Sequence, residues 1–299
     1  MTPEQYEQIG RLYQAALKRE PTERAAFLAE ICAGDEALRR EVAALIASHE
    51  QAGDFIERPP EDVALDWQTG AAAFAGQWRQ AQEFSRRAIE QAARGDNREV
   101  AARYATEQAL RSAVLGNCQT SKTSAAQGLR FGRGRLPLAR AALAQALCGA
   151  APQAQALADE LAKRFPEDTL SQEIWLPLIR AAINLQRGDA ALGIEQLKNV
   201  ARYEAAAEFW PPYLRGQAYL KLGRGVEAAT EFQKILDHRG QAPLSAVYPL
   251  ANLGLARAAA LVGDPAKSRR ADEDFFAVWK GADPDLPILT KAKKEYEQR

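Results

Sequence analysis

The segment YLRGQAYLKLGRGVEAATEFQKIL, residues 213–236, carries the residue pattern that decides the fold. Its small and apolar residues recur at the spacing of one helix face on both sides of Gly223. Gly216 and Ala228 are small, so we expect two helices to approach closely there. Phe232 is expected to be a large buried neighbour. The segment is therefore predicted to form two antiparallel helices joined at Gly223.

Glycine breaks of the same kind recur along the chain at intervals of 33 to 40 residues. They fall at Gly76, Gly116, Gly149, Gly188, Gly223 and Gly263. A period in this range is typical of helical solenoids, in which each helix pair buries its apolar face only by stacking on its neighbours. The pattern predicts an all-α protein with a solenoid of five or six helix pairs over residues 63–299.

The segment 213–236 also resembles a tetratricopeptide repeat, with Tyr219 at one of the large positions of that repeat. The resemblance implies a tetratricopeptide-like helical repeat array. The following unit departs from the repeat at Ala259 and Asp272, where aromatic residues are usual, so looser packing is expected there. Residues 117–135 are polar and rich in glycine, and they are predicted to form a variable loop or an irregular helix.

The first 56 residues are predicted to be a small unit of three helices that precedes the array. The first helix should run from about Thr2 to about Arg19, and Pro21 should begin the second. Gly34 and Asp35 should end the second helix and cap the third, which the QAGDF segment then breaks. The inward-facing residues are expected to be Tyr6, Ile9, Tyr13, Ala16, Leu17, Phe27, Leu28, Ile31, Leu38, Val42, Leu45 and Ile46.

Residues 57–62, ERPPED, are polar and contain paired prolines, which predicts a linker between the leader of residues 1–56 and the array of residues 63–299. No apolar stretch reaches the roughly 18 residues that span a bilayer. The N-terminus lacks the basic start and apolar run of a signal peptide. These features predict no membrane span and a cytoplasmic protein.

The charge balance argues against a nucleic-acid partner. Lysine plus arginine and aspartate plus glutamate number 39 each, so no net positive charge draws the whole chain toward phosphate backbones. The pair Arg39 and Arg40 in the leader is flanked by Glu36 and Glu41. We therefore expect no nucleic-acid surface.

The cysteines and histidines argue against a metal site. Cys32, Cys118 and Cys148 are widely separated, and the only histidines are His49 and His238. Structural zinc sites need closely spaced pairs of such ligands, so no metal and no cofactor are expected. The cysteines are predicted to be small buried apolar residues, and disulfides are not needed, as suits a reducing cytoplasm.

Two longer stretches resemble parts of bacterial serine/threonine protein kinases of the type common in acidobacteria. The stretches FQKILDHRG, LGLARAAALVGD and FFAVWKGADPDLPILTKAKKEYEQ resemble the C-terminal repeat region of those kinases, a resemblance that covers roughly residues 67–299. Residues 12–57 resemble the helical leader before their kinase domain. Only RPPEDVALD separates the two stretches here, so the resemblance implies a kinase-related chain without the kinase domain.

Kinase chemistry needs a glycine-rich loop, a strand lysine and an Asp-Phe-Gly motif together. The nearest glycine cluster, GRGR at 132–135, lacks the spacing and a flanking strand, and Asp54-Phe55 is followed by isoleucine. No catalytic residue is predicted, and the chain is expected not to be an enzyme. An enzyme with an unrecognised site in the helical array stays an alternative.

The remaining candidates for chemistry have structural explanations. His238 is expected to end a helix, with Gly240 in the left-handed position after it, and His49 is expected to end a leader helix in the same way. Residues 272–274, DED, are predicted to form a solvated helix face. Residues 283–285, DPD, are predicted to cap the last helix.

The function predicted from this pattern is non-catalytic protein binding. Helical repeat arrays expose a concave groove lined by the first helix of each pair, so a protein or peptide partner is expected. The alternative is a regulatory module that acts in trans on a kinase. The groove residues predicted by analogy with tetratricopeptide proteins are Tyr213, Gln217, Leu220, Lys221, Leu178 and Gln186.

Overall fold

The computed structural model describes residues 3–32, 34–57, 60–204 and 207–298. Within these ranges the regular structure is helical, and no strand occurs. Backbone contacts divide the chain into two compact units, residues 1–60 and 61–299. The all-α fold class and the helical repeat array predicted from the sequence are confirmed.

The described part of the first unit contains three helices. They are α1 (Pro3–Leu17), α2 (Pro21–Ile31) and α3 (Glu36–Glu57). The Asp35 carboxylate accepts a hydrogen bond of 2.9 Å from the backbone N–H of Leu38, so it caps α3 as expected. The described core of the unit consists of Ile9, Ala16, Leu28, Cys32, Val42 and Ile46.

Three details of the first unit differ from the predictions. Helix α3 continues through QAGDF to Glu57, so neither that segment nor His49 ends it. Ile31 and Leu45 are exposed rather than inward. Cys32, which follows Ile31 in the sequence, is buried in the core instead. The side chains of Tyr6 and His49 and the expected cap Thr2 lie outside the described residues.

In its described residues, the second unit contains six helix pairs and a last helix. The helices are α4 (Glu61–Phe74), α5 (Trp78–Arg94), α6 (Arg98–Val114), α7 (Cys118–Phe131), α8 (Arg135–Leu147), α9 (Ala151–Arg164), α10 (Leu176–Arg187), α11 (Ala190–Gln196), α12 (Trp210–Lys221), α13 (Gly225–Asp237), α14 (Val247–Leu261), α15 (Pro265–Val278) and α16 (Pro287–Glu297). Each of the six glycines predicted to break the pattern lies between the two helices of one pair, with φ between 70° and 92°. Glycine adopts this left-handed backbone readily, which explains the glycine period of the sequence.

The pair α12/α13 packs as the sequence pattern predicts. Phe232 is fully buried, and its ring lies where a side chain at Gly216 or Gly254 would be. A Cβ atom would lie 2.7 Å from the ring at Gly216 and 2.5 Å at Gly254. The two glycines therefore make room for one phenylalanine between three helices.

Helix α7 is regular over Cys118–Phe131, so the loop or irregular helix predicted for residues 117–135 is wrong there, and only residues 132–134 form a loop. Its buried face consists of the small residues Ser121, Ser124, Ala125 and Gly128. A Cβ atom at Gly128 would lie 2.6 Å from the Thr106 methyl group of α6. The polar composition that suggested a loop is a surface of small side chains that lets two helices approach closely.

Cys118 and Cys148 form a disulfide, which corrects the expectation that disulfides are not needed. Cys118 begins α7 and Cys148 follows α8, and their Cα atoms lie 5.5 Å apart. Stacking of successive pairs brings the Gly116 and Gly149 turns side by side, which sequence separation does not reveal. Cys32 has no disulfide partner and is buried, as expected.

The first and last helix pairs of the second unit contact each other, an arrangement we call the closure. The Trp279 indole N–H donates to the Phe74 carbonyl at 3.0 Å, and the Asp283 N–H donates to the Gly76 carbonyl at 3.0 Å. The Asp283 carboxylate accepts from the Arg79 N–H at 2.8 Å, and Asp285 pairs with the Arg79 guanidinium at 2.9 Å. The carboxylates of Asp283 and Asp285 therefore bind Arg79 at the start of α5. The prediction that residues 283–285 cap the last helix is wrong, because Leu286 occupies the N-cap position of α16.

Residues 239–246, which we call the strap, reach from the end of α13 across to α4. Leu244 lies 3.3 Å from the position that a Cβ atom at Gly70 would occupy. The Arg239 guanidinium lies over the rings of Phe74 and Tyr248, 5.7 Å and 5.0 Å from their centroids. The strap therefore adds a second set of contacts between distant repeats.

Replacing Gly76 with alanine should destabilise the second unit because it disturbs the closure. The new Cβ atom would lie 2.6 Å from Ala282 and 2.8 Å from the Trp279 ring. Gly223 is a matched control, since its φ of 70° resembles the 72° of Gly76 but it has no neighbour within 4 Å. Denaturant unfolding should show G76A to be less stable than G223A by about 1–3 kcal/mol. Equal losses in the two variants would mean that the closure contributes no stability.

Candidate binding cleft

A cavity of about 480 Å³ opens within the second unit between α4, α6, α8 and the strap. Its walls combine charged and aromatic side chains from parts of the chain far apart in sequence. The side chains that carry its chemistry are Asp66, Trp67, Arg103, Tyr104, Glu107, Arg111, Arg140, Glu208 and Trp210. We call this cavity the cleft.

Five side chains of the cleft alternate in charge and form what we call the charge chain. Asp66 lies 3.5 Å from Arg111, which lies 3.6 Å from one oxygen of Glu107. The other oxygen of Glu107 lies 2.8 Å from Arg140, which lies 3.2 Å from Glu208. Both arginines thus contact two carboxylates, and a carboxylate stands at each end of the charge chain.

Local structure explains how these residues meet. Arg103, Glu107 and Arg111 follow each other at four-residue spacing on α6, which places them on one face of that helix. Glu208 and Phe209 both adopt left-handed backbone, with φ of 51° and 62°. Such strain in residues other than glycine often accompanies functional positions, and here it accompanies the contact of Glu208 with Arg140.

The pKa values of the three carboxyl groups in the charge chain are shifted in different directions. Burial raises the pKa of Asp66, and the charge of Arg111 opposes that shift only in part. The negative charge of Glu107, together with burial, raises the pKa of Glu208. Burial alone would also raise the pKa of Glu107, but the charges of Arg140 and Arg111 outweigh it and hold that pKa below its usual range.

Aromatic side chains border the charge chain. The Trp67 side chain is prominent because two-thirds of the residue, 66%, is exposed to solvent. Tyr104 is buried and donates a hydrogen bond of 3.2 Å to Asp62, and burial with the nearby Asp62 charge raises its pKa to about 12. The Arg103 guanidinium lies over the Tyr104 ring, 5.1 Å from its centroid. The cleft therefore offers both charge and flat apolar surface to a ligand.

A second buried ion cluster has a structural role. Arg215 of α12 lies 2.9 Å and 2.7 Å, through two nitrogens, from the Glu231 carboxylate, and it also contacts Glu204. Its remaining guanidinium nitrogen points to the Leu197 carbonyl at 3.5 Å. These contacts join α12, α13 and the segment before α12, and none of these four residues lines the cleft.

The six predicted groove residues are only partly brought together. Gln186, Tyr213, Gln217 and Lys221 line a smaller cavity of about 160 Å³. Lys221 donates to the Leu185 carbonyl at 2.6 Å, and Gln186 donates to the Leu147 carbonyl at 3.1 Å. Both side chains thus satisfy carbonyl groups in the last turns of neighbouring helices.

Three of the predicted groove residues, Leu178, Leu220 and Tyr213, are buried or half-buried. Leu178 has no exposed surface, so it packs in the core and is not accessible to a peptide. Leu220 is half-buried against the same core. Tyr213 packs edge-on against Trp210 and Phe232, and burial raises its pKa to about 12. Peptide binding by the six residues stays a prediction.

His238 lies at the end of α13, as expected for a helix-end residue. Its Nδ1 atom lies 2.8 Å from the Lys234 carbonyl, and its ring stacks on Phe209. Gly240 is not left-handed, because residues 239–241 continue as a short 3-10 turn. Asp272 is fully buried, which corrects the solvated face predicted for residues 272–274 at that one position, whereas Glu273 and Asp274 are exposed as predicted.

The structure offers no group of three or more metal-binding side chains among its described residues. In the same ranges, no helix is both long and apolar enough to cross a membrane. The cleft was not predicted from the sequence. Its one visible signal was the Arg-x-x-x-Glu-x-x-x-Arg spacing of residues 103–111 on a helix, while Glu208 and the strap reach the cleft only through tertiary packing.

Comparison with known proteins adds few constraints. No protein family model matches the chain, and no curated protein matches it. Nine chains of solved structures match. One belongs to the crystal structure of the APC/C hetero-tetramer Cut9-Hcn1, with 14% identity, a TM-score of 0.46 and 91% of this chain covered. This chain spans about half, 51%, of the length of that solved chain.

Proposed function

We propose that this chain is a non-catalytic module that binds a protein segment in the cleft. The observation that carries the proposal is the cleft itself, a cavity of about 480 Å³ whose wall combines the charge chain with the exposed Trp67 ring. Exposed tryptophan beside charged groups is typical of protein-binding hot spots. Helical arrays commonly use such concave surfaces for recognition.

The geometry suits binding because the polar groups are held in place before a ligand arrives. Ion contacts link Asp66, Arg111, Glu107, Arg140 and Glu208, and the strap covers one side of the cleft. Groups fixed in this way lose little conformational entropy when a ligand binds. A rigid charged wall with one exposed ring therefore supports selective recognition.

The test is capture of a partner from lysate of the native organism with the full chain as bait, followed by comparison with the W67A variant. Trp67 is largely exposed, so its loss should leave the fold unchanged while retention of the partner falls about tenfold or more. Val226 on α13 is equally exposed at 66% and lies outside the cleft, so V226A is the matched control. Equal retention by wild type and W67A would contradict binding in the cleft.

A second candidate surface is the smaller cavity beside the predicted groove residues. Gln217 is half-buried and lines it together with Gln186 and Lys221. The variant Q217A should reduce capture of the partner only if this cavity takes part in binding. Loss of capture with Q217A but not with W67A would place the binding surface here instead.

The resemblance to the repeat region of serine/threonine kinases supports a more specific proposal, a regulatory module that acts on a kinase in trans. The expected result is that the chain itself transfers no phosphate from ATP and magnesium but changes the activity of a kinase domain encoded nearby. Phosphate transfer by the isolated chain would revive the enzyme alternative. An unchanged kinase would contradict the regulatory role.

The cytoplasmic placement stays a prediction, and one of its supports is weakened. Cysteines that need no disulfide suited that placement, whereas Cys118 and Cys148 are bonded. Disulfides persist mainly in oxidising compartments. The bond therefore favours placement outside the reducing cytoplasm.

A further inference from the structure

The two ends of the charge chain, Asp66 and Glu208, are carboxylates, which bears on the charge that a ligand should carry. Arg111 and Arg140 each lie between two carboxylates, whereas Asp66 and Glu208 each contact one arginine of the chain. The five residues thus comprise three carboxylates and two guanidinium groups, and the charge of Arg103, also in the wall of the cleft, acts on Asp66 and Glu107. A cation placed beside a terminal carboxylate would complete the alternation of charge.

We propose that the cleft binds its protein partner through a lysine or arginine side chain, whose charge is matched by one of the terminal carboxylates of the charge chain, Asp66 or Glu208. This inference rests on the proposed function and adds the chemistry of the partner. The side-chain exposures of Asp66 and Glu208, 26% and 42%, leave both accessible from the cleft. The exposed ring of Trp67, next to Asp66 in sequence, offers a flat face on which a guanidinium or ammonium group can stack.

An anionic ligand fits the cleft less well. To reach Arg111 or Arg140, an anion would have to displace a carboxylate that already contacts that arginine. Arg103 is exposed and lies over Tyr104, so it is the arginine of the cleft that an anion could reach without such displacement. A single exposed arginine provides weak attraction in water.

The experiment uses the full chain and three short blocked peptides that differ at one position, arginine, lysine or glutamate between glycines. Binding is measured by tryptophan fluorescence and calorimetry. The arginine and lysine peptides should bind, and the glutamate peptide should bind at least about tenfold more weakly. The double variant D66N/E208Q should lose at least about tenfold in affinity for the basic peptides.

A matched control keeps the charge change but moves it out of the cleft. Glu83 on α5 is exposed, pairs with Arg86 and does not line the cleft, so E83Q should bind the peptides like wild type. Preference for the glutamate peptide or for inorganic phosphate would overturn the inference. So would equal binding of the basic peptides by wild type and D66N/E208Q, because binding would then lie elsewhere.

The two levels of the proposal can fail separately. Capture of a partner that depends on Trp67, without any binding of the basic peptides, would overturn the cationic ligand and leave the binding module intact. Basic peptides that bind in a manner sensitive to D66N/E208Q would support the inference even before a partner is known. Peptide binding that W67A leaves unchanged would overturn the stacking role of Trp67.

Discussion

Replacing Glu107 with glutamine is expected to lower the free energy of unfolding by about 3–5 kcal/mol. Glu107 contacts Arg111 through one carboxylate oxygen and Arg140 through the other, and all three side chains are largely buried. Glutamine has nearly the same shape, but it carries no charge and places an amide N–H₂ group against a guanidinium. The variant therefore removes the anion that two buried cations share and leaves each of them with one carboxylate, Asp66 or Glu208. Removing one partner of a buried ion pair is costly.

Chemical denaturation at neutral pH measures this loss, and E227Q is the control. Glu227 also pairs with an arginine, Arg224, but on the exposed surface of α13, where ion pairs contribute little. A loss as small for E107Q as for E227Q would show that the charge chain does not stabilise the second unit. It would also remove the argument that the cleft is rigid.

The stability that E107Q loses relative to the wild type should depend on pH, because the pKa of Glu107 is lowered in the folded protein. A carboxyl whose pKa is lower in the folded state contributes its full stability above the unfolded-state value. That stability is lost as the pH falls through the folded-state pKa. The difference in stability between wild type and E107Q should therefore be largest at neutral pH and shrink in acid. A difference that does not change with pH would contradict the lowered pKa.

Reducing the bond between Cys118 and Cys148 is expected to lower the free energy of unfolding by about 3–4 kcal/mol. The two cysteines are 30 residues apart, so the bond excludes many open conformations of the unfolded chain. It also fixes the second helix pair to the third beside their turns. The double variant C118S/C148S should show the same loss as the reduced protein.

The measurement is denaturant unfolding with and without reductant. Reductant should have no effect on C118S/C148S, since the remaining cysteine, Cys32, forms no disulfide. If reductant leaves the wild type equally stable, the bond does not form in the folded protein or does not constrain it. In that case the disulfide would no longer support placement in an oxidising compartment.

The helix pairs could be predicted from the sequence because their signals are local. A glycine that must adopt left-handed backbone, as at Gly223, and a small residue beside a large one, as at Gly216 and Phe232, act over one or two helices. The regular geometry of α7 was not predicted because small polar residues occur both in loops and at close helix contacts. Only the position of α6 distinguishes the two.

The features that join distant repeats could not be predicted in this way. The closure, the strap and the disulfide depend on how far each pair turns relative to the last, and small angles accumulate over six pairs. For the cleft, the spacing of Arg103, Glu107 and Arg111 was visible, whereas the approach of Glu208 was not. Leu178 was placed in a groove because analogy assigns positions without the local tilt of the helix.

The closure should also affect the order in which the helix pairs of the array unfold. In an open stack each end pair touches one neighbour, so the ends fray and unfolding spreads inward one pair at a time. Here the contacts of Trp279 and Asp283 with Phe74 and Gly76 give the first and last pairs a second neighbour. Losing either end pair then breaks two interfaces at once, which raises the cooperativity of unfolding. Contacts across more than 200 residues should also make the closure one of the later steps of folding.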